Sequence, residues 1–162
     1  MRPAFTKEGT ITAANASSIN DGAAALIVAD ADWAAANGKQ PLAVIKGWAT
    51  HSMKPEYFTM APEVAVKKLL TKIGWGIGDV DFFELNEAFA VVSLYNNHAL
   101  GLDGSNVNVR GGAVAIGHPL GASGARILVT LLHTLKQEGK TKGIASLCNG
   151  GGEATALAIE MV

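Results

Sequence analysis

Three polar residues stand where this sequence could do chemistry: Asn86, His118 and Cys148. Asn86 opens Asn86-Glu87-Ala88-Phe89-Ala90, directly after an apolar run. His118 lies in Gly117-His118-Pro119, in a stretch that also holds Gly111, Gly112, Gly121 and Gly124. Cys148 ends a second apolar run and precedes Asn149-Gly150-Gly151-Gly152. An imidazole exchanges a proton near neutral pH, a thiol can act as nucleophile or base, and a carboxamide both donates and accepts. Glycines at this density let the backbone approach a ligand and aim N–H groups at it.

Each residue also has a plainer explanation. Asn86 can be a helix N-cap, a His before Pro can be structural, and a strand-terminal Cys can be an inert buried side chain. A triple Gly can be only a turn. Residue types and spacing leave both explanations open. Two other chemistries are excluded. Residues 111–124 lack the Lys of a phosphate-binding Gly-x-x-x-x-Gly-Lys-[Ser/Thr] loop, with Arg126 falling inside a helix. Cys148, His51, His98, His118 and His133 show no zinc spacing.

The elements that must hold these residues alternate in type along the chain. Apolar runs at 22–29, 42–50, 80–85, 107–109, 144–148 and 154–160 are predicted strands. Asp30 is positioned to cap a helix at 31–37 that Gly38 ends. Pro62 suits the first turn of a helix whose apolar face is Val66, Leu69, Leu70 and Ile73, closed by Gly74. A third helix is expected from an Asn86 cap to about Leu100. A fourth covers 122–138, with Ile127, Leu128, Leu131, Leu132 and Leu135 at helical spacing. Strands alternating with helices predict an α/β layered sheet, ending in an antiparallel pair around the triple Gly.

The 162 residues suffice for one domain with a sizeable core. Hydrophobic residues are 49% and charged residues 17%, an imbalance that points to apolar surface meant for another polypeptide. A net charge of −1 with scattered basic residues gives no footprint for nucleic acid or an anionic membrane. No apolar run reaches the length of a membrane span. Residues 1–10 lack a signal-peptide core, the last residues are not a peroxisomal tripeptide, and a single cysteine suits a reducing compartment, so a cytoplasmic location is expected.

At the same motifs the chain resembles the thiolases over essentially its whole length. Asn86-Glu87-Ala88-Phe89-Ala90 matches that family's Asn-Glu-Ala-Phe box, and residues 111–126 match its Gly-His-Pro signature. Cys148-Asn149-Gly150-Gly151-Gly152 matches its Cys-x-Gly-Gly-Gly turn. Thr12-Ala13-Ala14-Asn15-Ala16-Ser17 and Asn20-Asp21-Gly22-Ala23 match the segment where the family's loop domain rejoins the core. Four boxes in family order and at family spacing make the resemblance specific. Ser18 and Glu153-Ala154 depart from it, standing where many members have Gly.

The resemblance implies a C-terminal thiolase domain over residues 39–162, a five-stranded mixed sheet of pattern βαβαβαββ with helices on both faces. Residues 1–38 would be the junction with the loop domain and N-terminal half, and the run at 22–29 would belong to that half's sheet. Without it, residues before about Asp30 are expected disordered or in contact with a second copy, and the helix at 122–138 is expected to expose Leu or Ile side chains or bury them in a dimer. The implied activity is acetyl-CoA C-acetyltransferase, of the biosynthetic acetoacetyl-CoA type. The alternative is a thiolase-fold binding or scaffold module without turnover.

By the same resemblance His118 would activate a nucleophilic cysteine, and Cys148 would move the proton at the α-carbon of the acetyl group. His118 with a water held by Asn86 would form one oxyanion hole and the Gly150 N–H part of a second. The turn after Cys148 is expected to bring its thiol toward a neutral pKa. Ser17 would touch the pantetheine arm of coenzyme A, and Ala88 and Phe89 would line the pocket. Ala13, Ala14, Ala16 and Val114 match positions that bind potassium through backbone carbonyls in some members. No other metal or cofactor is implied, with coenzyme A thioesters as substrates. The family's nucleophilic cysteine lies in the N-terminal half, and Cys148 is the only cysteine here. A truncated or split product is therefore expected, inactive alone and needing an N-terminal half or self-association.

Overall fold

The computed structural model describes all 162 residues. Its helices are α1 (Ala31–Ala36), α2 (Ala61–Ile73), α3 (Ala90–Leu100), α4 (Ala113–Ile116) and α5 (Ser123–Glu138). Its strands are β1 (Ala43–Ser52), β2 (Phe82–Leu85), β3 (Lys142–Asn149) and β4 (Glu153–Met161). They form one mixed sheet in the order β1-β4-β3-β2, with β4 antiparallel to both neighbours and β3 parallel to β2. No helix is long and apolar enough to cross a membrane.

Local chemistry explains the helix limits. Asp30 Oδ1 accepts from the N–H groups of Asp32 and Trp33, capping α1. Pro62 lies in the first turn of α2, and Gly74 ends it at φ 72°, the left-handed region where Gly carries no steric penalty. Alternation of side chains along the strands then builds a core on each face of the sheet. Ala65, Val66 and Leu69 of α2 pack with Phe83, Leu85, Ile144 and Cys148 on one face. Ile127, Leu131 and Leu135 of α5 pack with Ala145 and Ile159 on the other. Helices thus cover both faces. The leucines and isoleucine of α5 are buried or half-buried against their own sheet rather than exposed, because the alternate residues of β2, β3 and β4 supply an apolar partner.

Two expected strands are absent, and the sheet has four strands rather than five. Residues 21–29 form neither helix nor strand and make no backbone hydrogen bond, leaving Ile27 99% and Val28 73% exposed. The run at 107–109 is stopped by Asn108, which turns the chain at φ 49°. Before the turn, Phe83 N–H donates to Asn106 C=O, and Asn108 N–H donates to Phe83 C=O, each at 2.9 Å. Beyond it, the Asn108 side chain takes over the ladder. Its Oδ1 accepts from Leu85 N–H at 2.9 Å and its Nδ2 donates to Leu85 C=O at 2.8 Å. A carboxamide has the same donor–acceptor pair as a peptide, so one side chain replaces the next residue of a strand.

If that side chain closes the outer edge of β2, Asn108→Gly, which keeps the positive φ, lowers stability by about 1–3 kcal/mol in urea unfolding. Leu94→Ala, at an exposed position, changes it by about 0.5 kcal/mol or less. Equal small effects at both positions would show that Leu85 does not depend on Asn108.

Candidate active site at one end of the sheet

Because β2 and β3 are parallel and adjacent, the residues that follow them emerge at the same end of the sheet, where α/β proteins bind ligands. Asn86 extends the ladder by one bond, its N–H donating to Ser146 C=O at 2.9 Å. Its side chain is 2% exposed. It is not a helix cap: α3 begins four residues later, with Phe89 at the N-cap position. The reason lies in Glu87, whose carboxylate accepts from Val114 N–H at 3.1 Å and Asn108 Nδ2 at 3.2 Å. Those bonds draw residues 86–89 toward α4 and away from a helical path.

The Asn86 amide instead meets His118, with Nδ2 3.2 Å from Nε2. The Asn86 Oδ1 is buried and receives no donor from the protein. His118 is held from three sides. Its N–H donates to Ser18 C=O at 2.9 Å, and its Nδ1 lies 2.5 Å from Ser123 Oγ, which itself donates to Pro119 C=O at 3.0 Å. Burial holds the imidazole pKa below its ordinary value, and the nearby Arg126 guanidinium adds to this, so the ring is neutral at pH 7. Arg126 Nη1 lies 3.5 Å from Glu84 Oε2 beneath α5. Burial still pushes the Glu84 carboxyl up to about 7 against that cation.

Cys148 is buried at the end of β3, paired with Ala154. Its thiol differs from the sequence-based expectation. Burial pushes its pKa from an ordinary 9.0 to about 11, outweighing a backbone hydrogen bond that lowers it. The turn that follows is glycine-dependent at one position. Gly152 has φ 90°, and a Cβ there would lie 2.2 Å from Met53 C=O. Asn149 Oδ1 accepts from Gly151 N–H, whereas Gly150 is exposed and its N–H meets no protein acceptor. A hollow of about 260 Å³ lined by Met53, Lys54, Tyr57 and Met60 contains none of Asn86, His118 or Cys148.

A strap from the N-terminal segment crosses this end. Asn15 C=O accepts from Ala90 N–H, Ala16 bridges Phe89, and Ser17 donates from both N–H and Oγ to Ala88 C=O. The Phe89 ring meets Phe5 and Phe58 edge-on at centroid distances of 6.0 and 6.3 Å. The structure thus joins Asn86 directly to His118, and Ser17 to Ala88. Cys148 and Gly150 lie at the end of the neighbouring strand. Ala13 and Ala14 form an exposed turn, Val114 is the second residue of α4, and no hydrogen bond joins them. No cluster of three or more His, Cys, Asp or Glu side chains could hold a metal ion. Sequence reasoning missed Ser123, Glu87 and Asn108, although Ser123 lies within the Gly-His-Pro signature.

Comparison with known proteins identifies the family and the fold. Residues 39–161 match the family model "Thiolase, C-terminal domain", and residues 1–32 match "Thiolase, N-terminal domain". The acetyl-CoA acetyltransferase of Saccharomyces cerevisiae is 55% identical over 163 residues, covering 99% of this chain and 41% of that protein. Its counterpart from Chromobacterium violaceum is 51% identical over 160 residues, with the same shares. The crystal structure of Bacillus anthracis acetyl-CoA acetyltransferase superposes with a TM-score of 0.97 at 46% identity, covering 99% of this chain and 41% of that one. Acat5 thiolase from Ascaris suum in complex with coenzyme A gives 0.90 at 46% identity, covering 99% and 42%. This chain therefore spans about two fifths of the length of these relatives. Matched over most of its length by one domain of the family, the chain belongs to the thiolases.

Proposed function

We propose that this chain supplies the C-terminal catalytic half of an acetyl-CoA C-acetyltransferase. The reaction joins two acetyl-CoA molecules into acetoacetyl-CoA and coenzyme A, or runs in reverse as thiolysis. The observation that carries this is the Asn86–His118 contact at the same sheet end as Cys148, in a chain about half identical to acetyl-CoA acetyltransferases. Neutral His118 accepts the proton of a nucleophilic thiol, giving a thiolate that attacks the thioester carbonyl. That thiol comes from an N-terminal half, since Cys148 is the only cysteine here and has its own task.

Cys148 exchanges the proton at the α-carbon of the second acetyl group. With a pKa near 11 it is a proton donor at pH 7. It becomes a base for the second step by giving that proton to the coenzyme A thiolate that leaves in the first, and N–H donors aimed at the sulfur hold the resulting thiolate. Asn86 Oδ1, unpaired within the protein, holds a water that completes one oxyanion hole with His118, and the Gly150 N–H faces the second. Ser17, Ala88 and Phe89 contact the coenzyme A arm and acyl group. Coenzyme A thioesters are substrates and no resident cofactor is required, and the reaction takes place in the cytoplasm.

The chain alone gives no acetoacetyl-CoA thiolysis, and adding an N-terminal thiolase half restores it. In the restored enzyme Cys148→Ala lowers turnover about 10²-fold or more. Robust turnover by the chain alone, lost in Cys148→Ser, would overturn the division of roles. Alkylation tests the thiol separately. At pH 8 iodoacetamide modifies Cys148 in the folded chain at least about 100-fold more slowly than in urea-unfolded chain, because two pKa units remove that much thiolate. The folded-state rate then climbs with pH toward 11. Equal rates at pH 8 would show a thiol that burial does not shift.

A further inference from the structure

We propose that Ser123 is a positioning residue that fixes the tautomer of His118, with the proton on Nδ1 and the Nε2 lone pair facing the site. Ser123 is fully buried at the start of α5. A hydroxyl has one proton to give. Here it goes to Pro119 C=O, 3.0 Å away and four residues earlier, the usual back-bond of a helical serine. Toward His118 Nδ1, at 2.5 Å, the same oxygen can only accept, so Nδ1 carries the hydrogen. The neutral ring then has an unprotonated Nε2, and that nitrogen accepts from Asn86 Nδ2 at 3.2 Å.

The opposite tautomer is worse matched. An Nε2–H would point at the Asn86 amide hydrogens unless that side chain turned over. Turned over, it would place an NH₂ group where Oδ1 now lies, a position without any protein partner. Buried donors left unpaired are rarer than carbonyl oxygens left unpaired. The observed chain runs one way, from Asn86 N–H to Nε2, from Nδ1–H to Oγ, and from Oγ–H to Pro119 C=O, with each of these donors matched. Its use rests on the function proposed above: the Asn86 amide hydrogen gives up the Nε2 lone pair, the thiol S–H bond breaks, its proton joins Nε2, and the imidazolium keeps Nδ1–H on Ser123.

Long-range ¹H–¹⁵N correlation spectra of the folded chain, taken above the His118 pKa, read the tautomer directly, with His118→Gln identifying the signal among the four histidines. The wild type shows Nε2 as the unprotonated nitrogen, Ser123→Ala loses that pattern in favour of Nε2–H, and Ser123→Thr, which keeps a hydroxyl, retains it. An Nε2–H wild type, or a folded Ser123→Ala that stays Nδ1–H, overturns the inference. If Ser123→Ala does not fold, the wild-type and Ser123→Thr spectra decide it. In enzyme completed with an N-terminal half, Ser123→Ala lowers kcat about 10–100-fold with KM little changed, and unchanged kcat overturns the positioning role. The expected spectra together with no turnover in the completed enzyme would instead reject the proposed function and leave the tautomer assignment standing.

Discussion

Everything at the candidate site depends on the parallel pairing of β2 with β3. Four residue pairs, Phe82 with Gly143 through Leu85 with Ser146, set the height at which each strand ends. A shift of one residue would send Glu84 into the α2 core and Phe83 toward Arg126, since alternate residues face opposite sides. So short a strand is weak by itself. It is braced by β3 on one side and by residues 106–108 on the other, where the Asn108 amide finishes the edge. Asn86 inherits its position from both.

Around that strand end, buried and half-buried polar groups form a chain of contacts. Glu87 ties α4 to Asn108, Asn86 meets His118, and Ser123 links His118 to α5. Arg126, one turn further along α5, faces Glu84 below. In such a place, of low polarity, each charge alters its neighbours' proton affinities. Burial, helped by the guanidinium, works against protonation of His118, and burial works against ionisation of both Glu84 and Cys148. All three groups therefore favour their neutral forms more than they would in water.

Much of the layered fold was legible because its signals are local. The Asp30 cap, the Gly74 stop and the spacing of Ile127, Leu131 and Leu135 each need only a few neighbouring residues. The failures came where a distant partner overrides local pattern. Val107-Asn108-Val109 alternates like a strand, but Asn108 is more use to Leu85 as a side chain than as a link in extended backbone. Asn86 has the form of a cap, but Glu87 is drawn to α4. At the candidate site, Asn86, His118 and Cys148 stand out in the sequence by their motifs, and the structure brings Asn86 to His118 at the sheet end where β3 also stops. Ser123 does not stand out, because nothing in Gly121-Ala122-Ser123-Gly124 says that a tight turn returns its hydroxyl to His118. Nor could the glycine turn reveal that burial dominates the Cys148 thiol.

The strap across the site has a consequence for the rate of folding. Ser17 meets Ala88 across 71 residues, and Ser18 meets His118 across a still longer loop. Each such closure costs chain entropy before any contact repays it. The β3–β4 hairpin and the helices close over short distances, so they need not wait for it. The sheet itself needs closures of the same kind, Ala43 with Met161 and Phe82 with Gly143, and the N-terminal segment adds to them in fastening the Asn86 and His118 loops together. Sheet and strap together make a topology of long closures, the kind that folds slowly.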